Sequence, residues 1–129
     1  MAAKIQSFRD LIVWQKAMEL CQQAYAVSTR FPKDERFGLT AQLRRAAVSV
    51  PSNIAEGYGR RRTQDYLRFL DIATGSLYEL ETQLLLAIRL GFITGDDLCP
   101  CMQLVREVNR ILCGLTKAVR ESALKGRDP

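Results

Sequence analysis

The sequence contains no histidine among its 129 residues. That absence excludes Ser/His/Asp and Cys/His catalysis, His-ligated zinc and facial-triad iron. It also excludes the Glu-x-x-His pairs on which carboxylate-bridged metal bundles are built. Cysteine is sparse: Cys21, Cys99, Cys101 and Cys113. Only Cys99 and Cys101 are close, and C-P-C is not the C-x-x-C of redox or zinc sites. Unpaired, reduced thiols are expected, and with them a cytoplasmic location. The first residues, MAAKIQSFRD, lack the apolar core of a signal peptide. No apolar run approaches the about 18 residues of a membrane span, so no membrane partner is expected. Neither a metal nor another cofactor is expected.

What is present is ordinary for one globular domain, taken here as residues 1–129, with 47% apolar and 26% charged residues. Breaks at Phe31-Pro32-Lys33-Asp34, Gly57-Tyr58-Gly59 and Gly91 to Asp96 separate four stretches of helical periodicity. The expected helices cover about 9–30, 33–58, 63–90 and 95–124, with a polar tail from Lys125 to Pro129 that frays. Short loops and no strand signal predict an all-α fold, an antiparallel up-down-up-down four-helix bundle.

The first helix, starting after Asp10 as its N-cap, has two adjacent apolar stripes. One is Leu11, Trp14, Met18, Cys21 and Tyr25; the other is Val13, Ala17, Leu20, Ala24 and Val27. Together they cover about 200° of the surface, twice the usual core-facing stripe. The third helix has a heptad seam, Tyr66, Leu70, Ala73, Leu77, Leu80, Leu84 and Ala87, and then the run Leu84 to Ile88, which points in all directions. One four-helix core does not cover so much apolar surface, so self-association is expected, through Val13, Leu20, Val27, Leu85 and Leu86. The fourth helix, capped by Thr94 or Asp96, has the seam Leu98, Cys101, Val105, Val108, Leu112, Leu115 and Val119, with Pro100 in its first turn. Gly91 suits the C′ position of the third.

The second helix should bury Phe37, Leu43, Ala47, Val50 and Ile54. Pro51 inside it predicts a kink or break near Ser49 to Pro51. Ser49, Asn53 and Glu56 share a face if the helix continues, and the plain expectation is that they satisfy the backbone groups that Pro51 frees. Gly57 and Gly59 end the element.

Net charge is +5. It is unevenly spread: +1 over residues 1–35, +5 over 36–62, −4 over 63–100 and +3 over 101–129. Two readings follow. In one, Arg44, Arg45, Arg60, Arg61 and Arg62 form a phosphate-binding surface, with Tyr58 and Tyr66 as stacking partners. In the other, the basic second helix and acidic third helix neutralise one another, within the bundle or between subunits. Catalysis finds no support. Gly57-Tyr58-Gly59 lacks the third glycine of a dinucleotide loop, and Glu79 and Glu81 diverge on their helix. Glu107 and Glu121 have no histidine to work with.

Three stretches resemble the four-helix bundle proteins also known as large-subunit ribosomal RNA intervening-sequence proteins. They are Phe8-Arg9-Asp10-Leu11-Ile12-Val13-Trp14-Gln15-Lys16-Ala17, the run from Phe31-Pro32 through Ser49-Val50-Pro51-Ser52-Asn53-Ile54-Ala55-Glu56-Gly57, and Gly75-Ser76-Leu77-Tyr78-Glu79-Leu80-Glu81-Thr82-Gln83-Leu84. The resemblance implies a ring-like homopentamer of antiparallel bundles, a second helix that runs on through Pro51, and no enzymatic activity. More distant relatives, accessory proteins of diversity-generating retroelements, share the bundle and bind nucleic acid and a reverse transcriptase through basic surfaces. The expected function is a non-enzymatic oligomeric scaffold that binds RNA or DNA. The alternative is a protein-interaction scaffold whose basic helix pairs with acidic surfaces of its own assembly.

Overall fold

Two short 3-10 turns and four long helices account for the chain in a computed structural model that describes residues 4–125. The first turn, Phe8–Asp10, is closed by reciprocal capping. Ser7 Oγ accepts from Arg9 N at 3.1 Å, and Asp10 Oδ2 accepts from Ser7 N at 3.2 Å. Asp10 therefore serves this turn and does not cap α1 (Ile12–Ser28), whose N-cap is Leu11. The second turn, Lys33–Glu35, precedes α2 (Leu39–Tyr58). Helices α3 (Thr63–Arg89) and α4 (Gly95–Leu124) follow. Lys125 is the C-cap of α4, and the rest of the expected fraying tail, residues 126–129, lies outside the described residues.

Helix ends follow local chemistry. Thr94 Oγ1 accepts from Asp97 N at 3.2 Å and opens α4. At the end of α3, Gly91 takes φ +78, a left-handed conformation that glycine adopts freely. Gly91 N then bonds Ile88 O and Phe92 N bonds Ala87 O, the paired bonds of a Schellman stop. Pro100 is the sixth residue of α4, one turn further in than expected.

Helix α1 packs on α2 and α4, and α3 packs on the same two, so the helices stand in cyclic order. Chain order around the square with short loops is the up-down-up-down bundle. The α3 seam from Leu70 to Ala87 is fully buried, as are Leu98, Cys101, Val108 and Leu112 of α4. Leu115 and Val119 are half-buried.

Helix α2 is unbroken through Pro51, as the resemblance implies and against the break expected from proline alone. The proline leaves the Ala47 carbonyl without its helical donor. The expectation that Ser49, Asn53 and Glu56 compensate for this is corrected, because their bonds run elsewhere, as given below. Phe37 is also corrected: it lies before α2, on the outside of the molecule, with 85% of its surface exposed.

Candidate nucleic-acid interface

The two arginine groups of the basic segment are set apart along α2: Arg44 and Arg45 lie in its second turn, and Arg60 to Arg62 follow its end. Tyr58 is thirteen positions beyond Arg45, about 20 Å at the rise of an α-helix. They form two sites, and most of their members differ in what they already bind.

Arg44 is held by the end of α1. Its Nε donates to Ser28 Oγ at 2.9 Å, a second nitrogen reaches Tyr25 O at 3.4 Å, and its guanidinium carbon lies 4.7 Å from the Tyr25 ring centroid. Arg45 beside it is exposed. Both line a cavity of about 780 Å³ together with Tyr25, Gln42, Ser49 and Glu79. At the other end, Arg60 bonds Glu56 Oε1 at 3.0 Å and lies 4.7 Å from the Phe69 ring. Arg61 and Arg62 are exposed and enter no ion pair among the described residues.

Tyr58 and Tyr66 meet edge to face with centroids 6.2 Å apart. Burial, then the neighbouring Tyr58, raises the Tyr66 hydroxyl above its ordinary value. These rings are largely engaged with each other, which reduces what they offer a nucleobase.

The polar residues around Pro51 tie α2 to α3. Ser49 Oγ and Ser76 Oγ are 2.7 Å apart, and Asn53 Nδ2 donates to Ser49 O at 2.8 Å and to Ser49 Oγ at 2.9 Å. Glu56 faces outward to Arg60. Gly57 is buried against Tyr66 and Phe69.

The ion pairs among the described residues are Lys16–Glu19, Lys16–Glu107, Arg30–Asp97 and Arg60–Glu56. None of these pairs joins α2 to α3.

The proposed self-association residues divide. Val13, Leu20 and Val27 are buried in the core of the single chain, so they are corrected from interface to core. Leu85 and Leu86 are exposed, at 46% and 42%. The other α1 stripe is the outward one: Trp14, Met18 and Cys21 line an apolar cleft with Val48, Pro51 and Ala55 of α2.

All four cysteines are free thiols. Burial raises Cys21 and pushes Cys101 up to about 11. Among the described residues, no three Cys, Asp or Glu side chains gather as a metal site, and no helix is long and apolar enough to cross a membrane.

The loop before α2 holds a feature that helical periodicity misplaces. Exposed Phe37 carries the Arg36 guanidinium 4.8 Å from its ring centroid. Lys33, Arg36 and Arg44 line a neighbouring cavity of about 510 Å³. Gly38, directly after Phe37, is the one signal in the sequence that the helix has not yet begun.

A protein-family model described as 23S rRNA-intervening sequence protein matches residues 9–114. Among solved structures, the chain is similar to a crystal structure of a protein of unknown function from the S23 ribosomal protein family of Bacteroides thetaiotaomicron. That match has a TM-score of 0.76 at 24% identity, and covers 82% of this chain and 99% of the other. It shows the shared fold. No curated protein matches the chain.

Proposed function

The chain belongs to the 23S rRNA-intervening sequence protein family, and on that premise we propose that it is a non-enzymatic cytoplasmic scaffold. It assembles from copies of itself, as a homopentamer by the resemblance, and binds RNA or DNA through basic surfaces repeated around the assembly. The observation that carries this reading is the state of Arg61, Arg62 and Arg45: exposed, with no ion pair among the described residues. Cations in this state are suited to displacing counterions from phosphates. Each site alone is weak, and repetition in an assembly raises avidity by orders of magnitude. Self-association is supported by the α1–α2 apolar cleft and by exposed Leu85 and Leu86.

The test is a titration of RNA and of duplex DNA across salt. Arg61→Ala with Arg62→Ala should lower the slope of log affinity against log salt by about one for each phosphate that is no longer neutralised. Absence of binding at low salt, or an unchanged slope, refutes the reading.

A second reading, a protein-interaction scaffold, is favoured by Glu79 lining the same cavity as Arg44 and Arg45. It requires Arg45→Glu to change the mass of the assembly in light scattering while any nucleic-acid affinity stays constant.

A further inference from the structure

We propose that the loop between α1 and α2 is a stacking platform, on which an unpaired nucleobase lies against Phe37 while the neighbouring cations hold its phosphates. The proposal rests on the nucleic-acid reading above. It adds a second contact site and a substrate class, single-stranded rather than duplex nucleic acid.

Phe37 is the most exposed large apolar side chain among the described residues, at 85%. A surface aromatic of this kind, away from the core, is of most use where something stacks on it. Its backbone is nevertheless pinned on both sides. Arg36 N bonds Lys33 O at 3.1 Å and Gly38 N bonds Glu35 O at 2.9 Å. Glu35 Oε1 accepts from Leu39 N at 3.0 Å and so caps α2. The ring is therefore carried on an ordered loop, and stacking on it loses less conformational freedom than stacking on a floppy one.

The surrounding charge selects the ligand. The Arg36 guanidinium lies over the ring, 4.8 Å from its centroid, while 85% of Phe37 stays exposed to a base, and Lys33, Arg36 and Arg44 line the cavity of about 510 Å³ beside it, with Asp34 as the carboxylate among its lining residues. Arg44 is also a wall of the larger cavity that holds Arg45. Lys33, Arg36, Arg44 and Arg45 thus mark a cationic path around one end of the bundle. Arg44 is fixed on that path by Ser28 and Tyr25. An aromatic face beside spaced cations matches a chain of bases and phosphates, because every base has a π-face and a phosphate follows each. In a duplex the base faces are already stacked on one another and do not reach a side chain on a rigid loop.

The test compares wild type, Phe37→Ala and Phe37→Trp by fluorescence anisotropy. The probes are a short oligouridylate and a duplex of equal length, at one low salt concentration. Phe37→Ala is expected to weaken oligouridylate binding about tenfold, Phe37→Trp to retain it, and neither to change duplex affinity. Far-UV circular dichroism and the melting temperature should stay constant, since the ring is outside the core. The proposal is overturned by unchanged oligouridylate affinity, or by an equal loss on the duplex. It is also overturned by a lower assembly mass for Phe37→Ala, which would make the ring a contact between copies. If Phe37→Ala is silent while Arg61→Ala with Arg62→Ala weakens both probes, the platform falls and the basic-surface reading stands. If wild type binds neither probe, both fall.

Discussion

Gly57 of α2 lies so close to Phe69 of α3 that a Cβ on Gly57 would stand 2.7 Å from the Phe69 Cβ and 3.1 Å from Tyr66 Cδ1. The last turn of α2 and the start of α3 pack there without a side chain between them. Arg60, just after α2, lies over the Phe69 ring at the same place.

Gly57→Ala should therefore destabilise the fold although alanine is the better helix former. The propensity gain is about 1 kcal/mol and overpacking a dense contact costs about 1–3 kcal/mol, so the clash wins. Gly75 is the control, because it is inside α3 with nothing within 4 Å of an added Cβ. Gly75→Ala should stabilise by about 0.5–1 kcal/mol. Urea or thermal denaturation of the two variants should move the midpoint in opposite directions; two shifts of the same sign would rule out steric exclusion at Gly57.

The hydroxyl of Ser49 is the hub between α2 and α3, since Ser76 and Asn53 both meet it. Ser49→Ala removes a partner from each, whereas Ser76→Ala leaves the Asn53 bond in place. The expected costs are about 2 and about 1 kcal/mol, and a double-mutant cycle between the two sites should show coupling of about 0.5 kcal/mol or more. Additive effects in chemical denaturation would mean that the hydroxyls do not act together.

Much of this architecture is legible from periodicity, and the failures have physical causes. The seams of α3 and α4 alternate steps of three and four with a single apolar stripe dominant, and that stripe is the core. On α1 two stripes are equally apolar. Nothing within the helix distinguishes Val13, Leu20 and Val27 from Trp14, Met18 and Cys21; the choice is made by the neighbours α2 and α4. Phe37 looks like the first buried position of α2 when the helix is begun at Pro32. The Glu35 carboxylate caps Leu39 instead, which leaves Phe37 outside the helix and facing solvent. The arginines are adjacent in a charge count but not in space, because the remainder of α2 after Arg45 runs between the two groups. The pairing of Arg60 with Glu56 and the anchoring of Arg44 on Ser28 depend on geometry that composition does not reveal.

The thiols should react in an order set by burial. Cys99 and Cys113 are exposed, Cys21 is half-buried, and Cys101 is buried with its thiol pushed up to about 11. The thiolate is the reactive form, so at neutral pH Cys101 is both shielded and protonated. Alkylation of the native protein followed by peptide mass mapping should label Cys99 and Cys113 first and Cys101 only on unfolding. Equal rates for Cys101 and Cys113 would contradict the packing of α4.

Part of the acid sensitivity should come from the start of α4. A hydrogen bond from the Thr94 side chain, and then the Arg30 guanidinium, hold the Asp97 carboxyl below its ordinary value. Its folded pKa is thus lower than its unfolded one. The stability it contributes is present above the ordinary carboxylate range, near pH ~4, and is lost as pH falls through the folded value. Lys16 behaves in the opposite sense. Its hydrogen bond and charge interaction with Glu107 raise it, so its contribution is present below about pH 10 and is lost as pH rises through the folded value. Melting temperature against pH should therefore lose part of its acid limb in Asp97→Asn and part of its alkaline limb in Lys16→Met. Because Asp97 pairs with Arg30 just beyond α1 and Lys16 of α1 pairs with Glu107 of α4, both limbs report the side of the bundle where α1 meets α4. A variant that shifts the whole profile uniformly would show that its substitution acts through packing and not through charge.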